Sequence, residues 1–91
     1  MENVLQNLRK SIFWDVELTA STLRKYPQFV IVRVFERGDI SDIRLIRRFY
    51  GDAFIKKEIV KAKYIEPETF NYVSVIYNIP QKKFRCYLQT Q

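Results

Sequence analysis

The sequence predicts an all-α domain, a compact orthogonal bundle of four to five short helices. Three observations carry this expectation. Apolar residues recur at i, i+3 and i+4 through most of the chain, and no two segments alternate as paired strands would. Helix stops and starts punctuate the chain at Gly38-Asp39, Gly51-Asp52, Glu66-Pro67 and Pro80. Finally, 47% of the 91 residues are apolar, including seven Phe and six Tyr. Folding such a chain hides roughly 65% of its unfolded surface, and aromatic rings supply a large buried area each.

Taken in order, Glu2 to Lys10 reads as a short amphipathic helix with Val4, Leu5 and Leu8 on one side and basic residues in its last turn. Residues 1–11 are expected to be an N-terminal helical extension, and residues 12–91 a single small helical domain. Ile12 to Val16 forms an apolar-aromatic knot in which Trp14 is expected to anchor the core and Asp15 to cap a helix or pair with an arginine. Leu18 to Lys25 contains Thr19, Ser21 and Thr22, all good helix starters, and predicts a single turn or a loop. Pro27 suits the first position of a helix.

Phe29 to Asp39 is the densest apolar run. As a strand it would line Val30, Val32 and Val34 on one face. As a helix it gathers Arg33, Glu36 and Arg37 on one side and Val30, Ile31, Val34 and Phe35 on the other. A strand would need a partner that the chain lacks, so the helix is favoured, with Gly38 as a left-handed residue past its end and Asp39 as the next N-cap. From Ile40 to Tyr50, Ile43, Leu45, Ile46, Phe49 and Tyr50 share one face and Arg44, Arg47 and Arg48 the other. Gly51 ends this helix and Asp52 is expected to cap an outer one, where lysines flank Phe54, Ile55, Ile59 and Ala62. Glu66-Pro67-Glu68-Thr69 opens a last helix that is apolar around most of its circumference and is therefore expected to be central. Pro80 stops it, and Phe84 and Tyr87 in the tail are expected to fold back on the core.

Composition excludes several functions. Cys86 is the lone cysteine and there is no histidine, so an intramolecular disulfide, a cysteine-based zinc site and His-containing triads cannot be built. No apolar run approaches the ~20 residues that span a bilayer, and no signal-like segment opens the chain, which together predict a cytoplasmic protein. Asp39, Asp42 and Asp52 match no metal-loop spacing, and Asp15 with Glu17 lacks any supporting catalytic group. Cys86 beside Arg85 reads as a packed small hydrophobe rather than a nucleophile. The expectation is a non-enzymatic protein without cofactor or metal.

Sixteen Lys and Arg against ten Asp and Glu give a net charge of +6, which suits an anionic partner. Arg44, Arg47 and Arg48 share a face and can grip phosphates or carboxylates, with Lys56, Lys57, Lys61 and Lys63 extending the basic side. The bland alternative for all of them is a solvated helix face. Residues 52–80 also have the outline of a helix-turn-helix, which would present Thr69, Asn71, Ser74 and Asn78 to a major groove. Against it, the second helix is apolar and begins with Glu66 and Glu68, which repel phosphate.

Blocks spread from Ile12 to Tyr87 carry one resemblance: Phe13-Trp14-Asp15, Arg33 to Asp39, Tyr50-Gly51, Glu66 to Thr69, Asn78-Ile79-Pro80 and Phe84-Arg85-Cys86. In these the chain resembles an uncharacterised family of small bacterial proteins encoded beside abortive-infection-type nucleotidyltransferases. The resemblance implies an all-helical domain and an antitoxin-like or accessory role, with no catalytic residues to transfer. The expected function is an interaction protein with a protein partner. The alternative is a DNA-binding regulator, and exposed tail aromatics would suit a homodimer.

Overall fold

Several local signals in the sequence are realised in the structure, a computed structural model that describes residues 2–87, with side chains from Val4 onward. Six α-helices follow one another among the described residues: α1 (Glu2–Asn7), α2 (Ala20–Lys25), α3 (Pro27–Arg37), α4 (Ile40–Tyr50), α5 (Asp52–Ile59) and α6 (Pro67–Ile76). Short 3-10 turns occupy Lys10–Phe13 and Gln81–Lys83. The described residues contain no strand, so the domain is all-α.

The caps explain where the helices begin. Thr19 accepts a bond from the Thr22 backbone N–H while Thr22 reaches back, a capping box that makes a true helix of the segment expected to be a turn or loop. Pro27 and Pro67 take the first positions of α3 and α6, where a missing N–H costs nothing. Asp39 caps α4 in a second capping box with Asp42. Gly51, at φ 84°, ends α4 and passes directly into α5.

Around these starts the core assembles on α3. Val30, Ile31 and Val34 are fully enclosed, because α3 lies against α2, α4, α5 and the first 3-10 turn. Ile46 of α4 and Ile55 and Ile59 of α5 complete the centre. Each such side chain contributes about 1.5–3 kcal/mol by leaving water. The segment that could have been a strand is thus the hub helix. α1 joins the same core through Val4 and Leu8 and lies along α4.

Several expectations need correction. Trp14 is 76% exposed, because the 3-10 turn sends Ile12 and Phe13 inward and turns the next residue out. Gly38 is extended, with φ −85°, rather than left-handed. Its requirement is closeness: a Cβ there would stand 2.7 Å from the Val34 carbonyl oxygen and 2.8 Å from Cβ of Asp42. Asp52 does not cap α5, because Gly51 holds the cap position and the carboxylate turns towards Arg47 and Tyr77.

α6 is peripheral rather than central. Phe70, Val73 and Tyr77 face inward, while Val75 is 77% exposed. The chain after α6 returns to the core side, where Arg85 N–H donates to the Val60 carbonyl at 2.8 Å, so nothing among the described residues covers the outer face. Phe84 folds back as expected and meets Phe70 edge to face at 4.9 Å. Its burial removes it from any homodimer surface.

Candidate functional site

Arg47 and Arg48 lie in the last turn of α4 with Arg44 one turn before them, and Lys56 and Lys57 occupy the second half of α5. The single-residue link at Gly51 folds the two helices against each other, so the two basic sets belong to one region. Tyr77, just past α6, ties them together. The Arg47 guanidinium lies 5.4 Å from the Tyr77 ring centroid and the Lys56 ammonium 5.9 Å from it. Such cation–π placements contribute about 0.5–1 kcal/mol at exposed sites.

Among the described residues, Arg47 alone of this cluster meets a carboxylate. Arg47 forms a fork on Asp52, with Nε to Oδ1 at 2.8 Å and Nη2 to Oδ2 at 3.2 Å. The Tyr77 hydroxyl donates to the same Oδ1 at 2.8 Å. Arg47, and then Tyr77, hold the Asp52 carboxyl below the usual aspartate range. Burial pushes the Tyr77 phenol up, and the neighbouring Asp52 adds to the rise. This network joins α4, α5 and α6, so Arg47 is a structural tie rather than a free contact.

Arg44, Arg48, Lys56 and Lys57 are exposed and meet no carboxylate within ion-pair distance among the described residues. Lys61 is different, since its Nζ lies 3.3 Å from Glu58 Oε2. The three arginines and Asp52 line a depression of about 290 Å³. A second one, of about 480 Å³, is bounded by Lys56, Lys57 and Lys83 and floored by Val60, Tyr77, Ile79 and Pro80. Chemically the face attracts carboxylates or phosphates, with arginine suited to bidentate bonding and lysine to point-charge contact.

The four residues expected to read DNA do not share a surface. Thr69 and Ser74 are buried, and the Ser74 hydroxyl donates to the Asn71 carbonyl at 2.9 Å. Asn71 is exposed, with its side-chain oxygen accepting from Gln81 at 2.8 Å, and Asn78 is exposed past the end of α6. The helix-turn-helix outline fails for a physical reason. The backbone of α6 lies nearest the turn at Gln81–Lys83 rather than α5, and the Glu66 N–H donates to Glu36 at 2.9 Å, anchoring the start of α6 on α3. Glu36 is half-buried there, and desolvation raises its carboxyl.

Tyr77 and Lys83 are the members of the site that spacing alone does not reveal. Tyr77 reads as a core residue of α6, and Lys83 reaches the site only because the chain turns back after Pro80. Cys86 is buried, and burial pushes its thiol up, in keeping with a packed small hydrophobe. No helix of the described residues is long and apolar enough to cross a membrane.

Residues 8–59, more than half of the 91, match the model of a family described as a family of unknown function (DUF6922). The match takes in α2 to α5, and with them Arg44, Arg48, Lys56 and Lys57, and stops before α6. No curated protein and no solved structure matches the chain.

Proposed function

We propose that this chain, which belongs to that family of unknown function, is a non-enzymatic interaction protein that holds an acidic surface of a protein partner against its α4–α5 face. The observation that carries this is the set of cations, Arg44, Arg48, Lys56 and Lys57, that meet no carboxylate among the described residues, beside the Arg47–Asp52 pair that is internally closed. A single exposed ion pair contributes only about 0.2–1 kcal/mol. A cluster of one sign does more, because it steers encounter and rejects basic surfaces. The partner class implied by the family resemblance, an abortive-infection-type nucleotidyltransferase, would give this face an antitoxin-like role.

Capture of a stoichiometric partner from the native cell tests the proposal. The Arg44→Glu/Arg48→Glu variant is expected to lose that partner while keeping its helical circular dichroism. Retention of the partner by the variant would overturn the assignment of the face. A phosphate backbone is the other anion such a face could hold. Duplex DNA is expected not to bind, and binding at low salt that weakens steeply as salt rises would reassign the face to nucleic acid.

A further inference from the structure

We propose that the partner presents a linear acidic amphipathic segment, with its carboxylates over Lys56, Lys57 and Lys83 and its apolar side chains seated in the depression behind them. This rests on the α4–α5 face being the partner site, and adds the form of what binds there. Three features of the depression select such an occupant.

The first is charge. Its charged side chains are all lysines, with no carboxylate on the lining. By contrast, the depression at the other end of the molecule mixes Arg9 and Lys10 with Glu17. The second is the floor. Val60 and Ile79 are half-buried and Pro80 is exposed, so the basic rim surrounds apolar surface that a phosphate backbone would gain nothing by covering. A volume of about 480 Å³ lies within the range of concave sites that seat ligand groups. The lysine stems extend the apolar walls while their ammonium groups stay in water.

The third feature concerns the backbone. Asn78, at φ 53°, sits in the left-handed region and turns the chain out of α6. The Asn78 N–H donates to Val75, the Ile79 N–H to Ser74 and the Lys83 N–H to Pro80. Pro80 has no N–H at all. The wall therefore offers no free row of amides for an added strand, and recognition falls to side chains, as when an amphipathic helix lies in a groove.

Fluorescence anisotropy of a labelled peptide with Glu and Leu on adjacent helical faces, titrated with the full chain, tests this. A control peptide of equal charge with Ser for Leu, and a single-stranded oligonucleotide, run beside it. The amphipathic peptide is expected to bind, with the control weaker by about tenfold, as loss of a seated anchor predicts. Lys57→Glu/Lys83→Glu and Pro80→Glu, all at exposed positions, are expected to weaken the amphipathic peptide while the melting temperature holds. Equal binding of both peptides, sensitive to Arg44→Glu/Arg48→Glu, would overturn the groove and leave the acidic-partner face standing. The groove is likewise overturned, and the face kept, if neither peptide binds but the native partner is still captured through Arg44 and Arg48. Preference for the oligonucleotide, or no binding together with no partner, would overturn both.

Discussion

At the N-terminal end of α4, Asp39 and Asp42 are bound into one network with Arg9, whereas Arg44 at mid-helix and Arg48 in the last turn meet no carboxylate among the described residues. Asp42 is 1% exposed and accepts from Arg9 Nε at 3.0 Å, the Arg9 backbone N–H at 3.3 Å and the Asp39 N–H at 3.0 Å. Asp39 Oδ1 accepts from the Ser41 N–H at 3.0 Å, the Ser41 hydroxyl at 2.7 Å and the Asp42 N–H at 3.2 Å. Both ends suit the helix dipole, acids first and bases last. They differ in closure. Charges at the first end are consumed in holding the segment after α1 to the start of α4, while most of the others remain available to another molecule. The difference separates residues that stabilise the domain from residues that can recognise a partner.

The largest expected effect lies at the closed end. Asp42→Ala leaves the Asp39 N–H without its acceptor and breaks the tie to Arg9, so it should cost about 2–4 kcal/mol. For a domain of this size that lowers the melting temperature by on the order of 15 °C, readable by calorimetry. A loss under about 0.5 kcal/mol, the usual range of a surface change, would break the contrast. Acid titration probes both ends. Bonds from Ser41 and Asp42 hold Asp39 down at about 2, and Asp52 is lowered by Arg47. The stabilisation by Asp39 is full above the ordinary aspartate value of 3.8 and is lost as pH falls from there towards 2, and that by Asp52 is likewise lost as pH falls below the ordinary value. Thermal melts should therefore drop across that window, and Asp39→Asn should flatten the drop.

A smaller effect belongs to the closed pair within the open end. Arg47→Ala removes a half-exposed fork and a cation–π contact, which predicts a loss of about 1 kcal/mol in urea unfolding. The smallest belongs to the open cations themselves. Arg44→Glu/Arg48→Glu should change stability by no more than about 0.5 kcal/mol. A larger loss would show that these side chains serve the fold after all.

The sequence made local features legible. Asp39, Gly51 and Pro67 mark helix boundaries because capping and chain reversal depend on residues within a few positions. The choice of helix for Pro27–Arg37 was likewise legible, since the run has its own start and stop and no strand to pair with. Tertiary choices were not legible. Nothing local decides that Phe13 rather than Trp14 turns inward, or that α6 lacks cover over Val75. Gly38 was recognisable as special, but its reason is the approach of Asp42 rather than its own dihedrals.

The candidate site divides in the same way. The shared face of Arg44, Arg47 and Arg48 follows from helical spacing, and so does the exposure of Lys56 and Lys57. The removal of Arg47 from that face depends on Asp52 and Tyr77, which three different segments bring together. Thr69 and Ser74 were misplaced because small polar side chains fit inside a core when hydrogen-bonded locally, as Ser74 is to Asn71.

A dedicated binding face is tested most directly by titrating the acidic amphipathic peptide against the full chain, Lys57→Glu/Lys83→Glu, and Lys10→Glu/Lys25→Glu. The last pair is also exposed and carries the same change in charge, but lies outside the α4–α5 face. Such a face predicts that the first variant binds at least about tenfold more weakly at unchanged helicity, a difference of about 1.4 kcal/mol, while the second binds nearly as the parent does. Equal weakening in both variants would show that net charge alone attracts the peptide, and would contradict a dedicated face.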